Sequence, residues 1–208
     1  MKVTLVAIAG GSGSGKTWLA RELEQRLTPH AAILSLDDFY ADLSHMPVED
    51  RARCNFDAPE AVDWALLQQC LEGLLRGESV MMPQYDFTSH TRKPRRRRWV
   101  PKPVVLVEGL WPWQQPGLRN LYALKVFRSA EEQIRLTRRL NRDTTERGRT
   151  PESVHHQWAH QVEPMHAQFV QPQRSSANIT LPHHAPAWRL NKLEQRIRTL
   201  AQIPTAGS

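Results

Sequence analysis

The sequence has little cysteine and no long apolar run. Cys54 and Cys70 are its only cysteines among 208 residues, and their spacing is not that of a metal-binding pair. This usage argues against a disulfide-stabilised secreted scaffold, and we expect reduced thiols in a cytoplasmic protein. No stretch approaches the length of a membrane-spanning helix, which excludes an integral membrane protein of the helical kind.

An internal repeat, a linker and a domain boundary are also missing from the sequence. We therefore expect one domain over residues 1–203, with residues 204–208 frayed. The nine histidines include no convincing pair at zinc spacing, and those at 155–156 and 183–184 are expected at the surface. The chain enters its first predicted strand at once, which leaves no room for a signal peptide and agrees with a cytoplasmic location.

The charge balance is basic, with a formal net charge of +7. This excess favours an anionic ligand or partner but does not identify it. Neither the charge nor the composition indicates an oligomeric state, so a homo-oligomer is left open.

One stretch near the amino terminus matches the phosphate-binding pattern G-x-x-x-x-G-K-[ST] at every fixed position. A short apolar, β-branched run (residues 3–9) precedes it, and a segment with leucines at helical spacing (residues 18–27) follows it. This strand–loop–helix order favours a phosphate loop over a flexible turn. Its residues are Gly10, Gly11, Ser12, Gly13, Ser14, Gly15, Lys16 and Thr17.

Each part of this loop suits the binding of a nucleoside triphosphate with Mg²⁺. Glycines let several backbone N–H groups point at one phosphate, and the helix N-terminus adds partial positive charge. Lys16 can reach the β- and γ-phosphates, and the Thr17 hydroxyl can ligate the metal. The sequence therefore predicts a protein that binds ATP or a similar nucleotide.

Carboxylates follow two further predicted strands. Asp37 and Asp38 come after residues 31–36, and Glu108 ends the apolar run 104–109. Ligands of open α/β sheets bind at these carboxyl ends, so Asp37 can orient or deprotonate an attacking hydroxyl. Capping of a turn explains Asp37 equally well. Glu108 stands where a Walker B acid is expected and can act through the water shell of Mg²⁺.

For two other groups of candidate site residues, a purely structural role is also possible. Asp57 is interpreted as the N-cap of a helix that starts near Pro59. Tyr85, Phe87 and His90 can stack and hydrogen-bond a flat base, although core packing explains the aromatic rings too.

Arginine is concentrated in two regions. The run 92–98 suggests nucleic-acid contact, but its shortness and the neighbouring prolines favour an exposed hairpin or arm. The second region is a predicted helix and the loop after it, which suit either a lid over transferring phosphates or a solvated basic face. Its candidate residues are Arg139, Arg142, Arg147 and Arg149.

Several motifs occur together in the order of one family. The chain resembles the uridine kinase (uridine–cytidine kinase) family, within the phosphoribulokinase/uridine kinase group of P-loop kinases. The resemblance covers about residues 6–181. Besides the phosphate loop, the motifs that carry it are Asp-Asp-Phe-Tyr at 37–40, Asn-Phe-Asp-Ala-Pro at 55–59, Tyr-Asp-Phe-Thr-Ser-His-Thr-Arg-Lys at 85–93, Val-Glu-Gly at 107–109, Arg-Arg-Leu-Asn-Arg-Asp at 138–143 and Glu-Arg-Gly-Arg at 146–149.

The resemblance implies an ATP- and Mg²⁺-dependent kinase for the 5′-hydroxyl of uridine or cytidine. It implies that Asp37 is the base and that Asp57 binds the ribose hydroxyls. It also implies that Lys16, Thr17 and Glu108 bind the phosphates and the metal. The implied lid arginines are Arg139 and Arg142, which are catalytic, Arg147, which binds the phosphates, and Arg149. The other implied nucleoside contacts are Tyr40, Tyr85, Phe87, His90, Arg149 and Gln157.

Three departures from the family pattern are visible. The run Arg95–Arg98 replaces a less charged hairpin, Asp38 replaces a Ser or Cys, and residues 181–184 lack the usual Pro-Arg-Gly. The predicted fold is an α/β P-loop NTPase fold: a doubly wound parallel sheet flanked by helices, with an Arg-rich lid. Rival substrates are another nucleoside, a sugar phosphate, glycerate or pantothenate, and the rival class is a nucleotide-binding regulator that contacts nucleic acid through its basic run.

Overall fold

The computed structural model describes residues 2–51 and 53–204. Its strands are β1 (Thr4–Ala9), β2 (Ala31–Ser35), β3 (Val80–Met82), β4 (Tyr85–Asp86), β5 (Thr91–Arg92), β6 (Arg97–Trp99), β7 (Val104–Gly109), β8 (Leu124–Ser129) and β9 (Ile179–Pro182). Its α-helices are α1 (Lys16–Arg26), α2 (Val48–Arg51), α3 (Trp64–Leu75), α4 (Pro116–Arg119), α5 (Glu132–Glu146), α6 (Pro151–Gln157), α7 (Glu163–Met165) and α8 (Ala187–Ala201).

Five parallel strands form the central sheet in the order β2-β7-β1-β8-β9. β1 lies in the middle, where Val6 is in register with Leu106 of β7 and Leu124 of β8. Every residue of β1 and β7 is buried, which explains why both strands read as continuous apolar runs rather than as alternating ones. The predicted parallel α/β sheet is confirmed.

Helices cover both faces of this sheet and create two apolar cores. On one face, Leu19 and Leu23 of α1 and Ile197 of α8 pack against the strands. On the other face, Leu67 and Leu71 of α3 do the same. Burial at helical spacing supplies the main stabilisation of these layers, at roughly 1.5–3 kcal/mol for each fully buried large apolar side chain.

The chain between β2 and β7 adds no strand to the central sheet. It forms a separate pair of short antiparallel ladders, β3 with β6 and β4 with β5. The basic run lies here, and its arginines at 95–98 are exposed, as expected for a hairpin or arm. Pro83 separates β3 from β4 because it has no N–H to donate to a ladder.

The structure corrects the start of the third helix. Asp57 is not an N-cap, because a 3₁₀ turn (Pro59–Ala61) intervenes and α3 begins only at Trp64. The capping residue is Asp63, whose side chain accepts a hydrogen bond from the Leu66 N–H at 3.0 Å. The Asp-x-Pro pattern therefore did not mark the start of α3, and Asp57 is free to serve a role other than capping.

After α5, residues 151–176 form one irregular helical stretch. It passes through α6, a π-helix (Trp158–Val162), α7, a second π-helix (His166–Val170) and a 3₁₀ helix (Gln171–Ser176). Pro164 sits between the two π segments, where a missing N–H interrupts the ordinary i→i−4 bonding.

Among the helices of the described residues, none is both long enough and apolar enough to cross a membrane. Of the tail predicted to fray, only Pro204 falls within the described residues, and residues 205–208 lie outside them.

Candidate active site

The phosphate loop joins the end of β1 to α1 at the carboxyl edge of the sheet. Its turn depends on two glycines in the left-handed region, Gly13 (φ +77°) and Gly15 (φ +86°). A β-carbon at Gly13 would also lie 2.2 Å from the carbonyl oxygen of Arg135, so the first turns of α5 rest directly on the loop. Only glycine meets both requirements at position 13.

Beside the loop, a buried carboxylate is held by two hydroxyls. Thr17 Oγ1 donates to Glu108 Oε2 at 3.1 Å, and Ser35 Oγ donates to Glu108 Oε1 at 3.0 Å. Burial raises the pKa of Glu108, the Lys16 charge opposes that rise, and the nearby Asp37 adds to it. Oxygen atoms on Thr17 and Glu108 are the ligand type that Mg²⁺ prefers.

A cavity of about 520 Å³ opens in front of Lys16. Most of the predicted site residues line it, although they come from distant parts of the chain. They are Ser12, Lys16, Asp37, Tyr40, Asp57, Tyr85, Phe87, His90, Arg139, Arg142, Arg147, Arg149 and Gln157. The predicted residues outside this lining are the loop residues Gly10, Gly11, Gly13, Ser14 and Gly15 and the contacting pair Thr17 and Glu108.

One end of the cavity is aromatic. The rings of Phe56 and His90 are stacked, with centroids 4.8 Å apart and an interplanar angle of 17°. Tyr85 makes edge contacts with Tyr40 at 5.4 Å and with Phe87 at 5.4 Å. Phe87 is half exposed, so this wall continues to the cavity mouth instead of closing into the core.

His90 has unusual surroundings within this wall. Its backbone φ is +53°, a conformation that costs energy in a non-glycine residue. Its Nδ1 atom is buried without a hydrogen-bond partner in the described part of the chain. Burial and the positive charges of Arg149 and Arg51 lower the pKa of His90, so the ring is neutral at pH 7 and offers one donor and one acceptor.

The two aspartates after β2 differ in position. Both belong to a 3₁₀ turn (Leu36–Phe39), but only Asp37 lines the cavity. Asp38 accepts a hydrogen bond from the Tyr85 N–H at 3.5 Å, and burial raises its pKa. The carboxylate that faces the cavity is therefore Asp37, while Asp38 supports the aromatic wall.

Asp57 lies at the boundary between the phosphate loop and the aromatic end. Its Oδ1 is 3.6 Å from Nη1 of Arg139, which also donates to Ser12 Oγ at 3.2 Å. Burial raises the pKa of Asp57, and the Arg139 charge works against that rise. Arg139 thus connects this carboxylate to the phosphate loop.

The predicted arginines converge on a carboxylate that sequence reasoning gave no role. The Asp143 side chain has no solvent exposure, and it lies within 2.8–3.6 Å of four guanidinium groups. Arg139 and Arg149 both also donate to Gln157 Oε1, at 3.3 and 2.6 Å. We call Asp143 with Arg139, Arg142, Arg147 and Arg149 the arginine cluster.

Burial acts to raise the pKa of Asp143, but the hydrogen bond from Arg142 and the surrounding guanidinium charges outweigh it, so the pKa lies below the usual range. Arg139 and Arg142 belong to α5 and not to a loop. Closure of the cluster over a ligand, as expected of a lid, stays a prediction.

Sequence reasoning missed several lining residues as well as Asp143. Phe56 directly precedes Asp57, and an aromatic ring next to a binding carboxylate is a usable signal for a nucleoside pocket. Asp143 had a signal too, because an acid four residues after Arg139 on a helix shares its face. The other lining residues without an earlier role are Cys54, Thr88, Leu110, Glu146 and Gln161.

A phosphate loop at the central strand of a parallel sheet, next to a cavity lined by carboxylates and arginines, defines the class of P-loop kinases. The Phosphoribulokinase / Uridine kinase family matches residues 5–187 of the chain. A uridine kinase of Halobacterium salinarum is 38% identical over 201 residues, which cover 97% of this chain and 89% of that protein. A uridine kinase of Deinococcus deserti is 43% identical over 199 residues, covering 94% and 95%.

The fold has solved relatives as well. Phosphoribulokinase from Rhodobacter spheroides superimposes with a TM-score of 0.64 over 87% of this chain and 70% of that chain, at 15% identity. The chain belongs to the Phosphoribulokinase / Uridine kinase family and is an ATP-dependent phosphotransferase.

Proposed function

We propose that the protein transfers the γ-phosphoryl group of ATP to the 5′-hydroxyl of uridine or cytidine. The observation that carries this proposal is the shared cavity, in which Lys16 of the phosphate loop, the Asp37 carboxylate and the Phe56–His90 stack line one space. Both sequence relatives described above are uridine kinases, and their alignments cover nearly the whole chain.

The acceptor hydroxyl is activated by Asp37 in this proposal. A carboxylate that lines the cavity at the carboxyl end of β2 can accept the proton of an alcohol or orient the alcohol toward the γ-phosphate. Tyr40 stays protonated next to it, because burial and the charges of Asp37 and Asp57 raise the pKa of Tyr40 well above its usual value. Tyr40 therefore does not compete with Asp37 as the base.

Phosphates and Mg²⁺ are assigned to the other side of the cavity. Lys16 and the loop backbone would hold the β- and γ-phosphates, and Arg139, Arg142 and Arg147 would neutralise charge that develops during transfer. Mg²⁺ would be held at Thr17 and Glu108 and would neutralise phosphate charge. Nucleotide phosphates and water would supply the remaining ligands, as is usual for Mg²⁺.

The nucleoside is assigned to the aromatic end. A flat pyrimidine can pack against the exposed side of the aromatic wall, with the neutral His90 ring or Gln157 as hydrogen-bond partners. Asp57 can accept hydrogen bonds from the two ribose hydroxyls, as a carboxylate does for a diol. Arg149 approaches from the arginine cluster and would complete this end of the site.

The test is ATP consumption with Mg²⁺ against uridine, cytidine, other nucleosides, pantothenate, glycerate and ribulose 5-phosphate, with product identification. We expect turnover on uridine or cytidine with a 5′-monophosphate product, and none when Mg²⁺ is removed by chelation. Turnover on glycerate or a sugar phosphate alone would agree with a phosphotransferase but would contradict the assignment of a nucleoside pocket. Salt-dependent RNA binding without any phosphorylation would instead support the nucleic-acid reading of the basic run.

Replacement of His90 by alanine is expected to raise KM for uridine by about tenfold, because one good stacked or hydrogen-bonded contact is worth on the order of 1.5 kcal/mol. KM for ATP should change by less than about twofold. Asparagine tolerates a positive φ better than alanine does, so H90N separates the loss of the ring from backbone strain. If both variants raised KM for ATP alone, His90 would not belong to the nucleoside pocket.

A further inference from the structure

Arg92 stands at the start of the basic run in the sequence, but the structure separates it from the rest of that run. The arginines at 95–98 are exposed, whereas only 17% of the Arg92 side chain is exposed. Arg92 does not line the 520 Å³ cavity, and nothing in the proposed transfer reaction uses it. Its guanidinium group instead bonds to other parts of the protein, because each of its three nitrogen atoms donates to an acceptor of the chain.

Two of these nitrogen atoms hold the end of the turn that carries Asp37. Nε of Arg92 donates to the Tyr40 carbonyl oxygen at 2.8 Å, and Nη2 donates to the Phe39 carbonyl oxygen at 3.3 Å. Phe39 is the last residue of the 3₁₀ turn, and it is buried. The guanidinium group therefore fixes the backbone two and three residues after Asp37.

The third nitrogen atom extends this contact to the start of α3. Nη1 of Arg92 forms an ion pair with Asp63 Oδ2 at 3.0 Å, while Asp63 Oδ1 caps the helix. The Asp63 N–H donates to the Phe39 carbonyl oxygen at 2.9 Å, and this is the oxygen that Arg92 Nη2 also reaches. Arg92, Asp63 and the carbonyl groups of Phe39 and Tyr40 thus form one hydrogen-bonded unit, which we call the Arg92 tether.

The backbone of Arg92 belongs to the nucleoside side of the active site. Arg92 lies in β5, directly opposite Tyr85 of β4 and two residues after His90. Its N–H donates to Asp42 Oδ1 at 3.1 Å. Because Tyr85 and His90 form part of the aromatic wall, one residue connects that wall, through its backbone, to the turn of Asp37, through its side chain.

The planar fork of a guanidinium group suits this connection. Its donors point in fixed directions, so one side chain can hold a carboxylate and two carbonyl groups at the same time. A lysine ammonium keeps the positive charge for Asp63 but cannot reproduce the fork that holds both carbonyl oxygens. Replacement of Arg92 by lysine therefore loosens the tether without removing the charge.

We infer that Arg92 is a positioning residue, which holds the nucleoside pocket and the Asp37 carboxylate at the separation that phosphoryl transfer needs. The inference rests on the proposed function. Transfer requires the acceptor hydroxyl to lie close to both Asp37 and the γ-phosphate, and a misplacement of about 1 Å can lower the rate by about 10²-fold. The tether includes no residue of the phosphate loop, so its loss should act on the acceptor side of the reaction.

The test is the kinetics of R92K with uridine and ATP, together with ATP titration and thermal unfolding of the full chain. We expect kcat to fall by about 10–100-fold, KM for uridine to rise by less than about fivefold, and the Kd for ATP to stay within about twofold of the wild type. An unchanged kcat, or a rise in KM alone, would overturn the inference while the wild type still turns over uridine. Absence of turnover on uridine and cytidine by the wild type is a different result, because it contradicts the proposed function and the inference together.

Arg198 provides a matched control for a purely structural effect. It is buried on α8 and donates to Glu194 Oε1 at 2.9 Å. It also donates to the backbone carbonyl oxygens of Arg26 and Pro204, so it holds one carboxylate and two carbonyl groups, as Arg92 does. It does not line the cavity, and R198K should lower the melting temperature but leave kcat with uridine unchanged. Equal losses of kcat in R92K and R198K would indicate general destabilisation and would overturn the inference.

A second variant tests the tether with Arg92 in place. D63N keeps an amide oxygen that can cap α3, but it removes the negative charge that faces Arg92 Nη1. We expect kcat to fall by about threefold to tenfold, as for the loss of a partly exposed charged hydrogen bond. The R92K/D63N double variant should lose less than the product of the two single losses, because both changes loosen the same tether. Losses that multiply would show that the two residues act independently and would contradict the inference.

Discussion

Replacement of Asp37 by asparagine is expected to lower kcat by about 10²–10⁴-fold, the usual contribution of a positioned general base. Asparagine keeps the size of the side chain and its place in the 3₁₀ turn, but it cannot accept the proton of the acceptor hydroxyl. The Kd for ATP should change little, because the phosphate loop is untouched. Steady-state kinetics with uridine, combined with ATP titration of the variant, measure both quantities.

The matched control for this change is D38N. Asp38 is next in sequence, but it does not line the cavity and it accepts a hydrogen bond from the Tyr85 backbone. We expect D38N to alter KM for the nucleoside through the aromatic wall while kcat stays within about tenfold of the wild type. A larger loss of kcat in D38N than in D37N would show that Asp38, and not Asp37, is the base.

Replacement of Asp143 by asparagine is expected to destabilise the protein by about 3–5 kcal/mol, because the buried Arg139 and three partly exposed arginines lose the carboxylate charge that they share. The expected cost comes from the arginine cluster rather than from Asp143 alone. Arg139 also contacts Ser12 and Asp57, so the variant should lower kcat as well. Chemical denaturation measures the first effect, and kinetics on the folded fraction measure the second.

The loss of unfolding free energy in D143N should depend on pH in a defined direction. The folded-state pKa of Asp143 lies below its unfolded value, so its ionised form stabilises the protein above the unfolded pKa, and this contribution is lost as the pH falls through the folded pKa. The difference in unfolding free energy between the wild type and D143N should therefore narrow below about pH 4. A difference that is constant with pH would mean that the charge of Asp143 does not stabilise the fold.

Asp50 provides the control for this prediction. It forms an ion pair with Arg53 at 3.3 Å, and 44% of the Asp50 side chain is exposed. D50N should change the unfolding free energy by less than about 1 kcal/mol, as is usual for exposed pairs. A similar loss in D50N and D143N would remove the special role of the arginine cluster.

Local sequence signals were sufficient for the sheet. Buried parallel strands are continuous apolar runs, and the runs at 3–9 and 104–109 identified β1 and β7 to within one residue. The glycine loop was equally readable, because its chemistry is local. Asp57 shows where this approach fails: Asp-x-Pro is a frequent helix start, and only the fold reveals that Asp57 instead meets Arg139, which is 82 residues away in the sequence.

The roles of residues that depend on contacts between distant segments were harder to predict from the sequence. The spacing of four residues from Arg139 indicates a pairing for Asp143, but nothing in the local sequence indicates that its side chain is completely buried. The stack between Phe56 and His90 likewise joins two separate segments, one of them the turn between β4 and β5, and neither segment alone indicates it. Asp37 lines the cavity and Asp38 does not, because neighbouring residues of the 3₁₀ turn point in different directions.

The segment between β2 and β7 leaves the sheet and returns to it without adding a strand. Under the proposed assignment, this segment carries several nucleoside-facing residues, among them Asp57, Tyr85 and His90, whereas the phosphate loop and the arginine cluster belong to the chain on either side of it. The acceptor contacts are thus concentrated outside the central sheet, while Asp37 within this segment and Arg149 and Gln157 beyond it join them to the machinery of transfer. Under the same assignment, substitutions in this segment would alter acceptor binding without changing the strands that hold the phosphate loop.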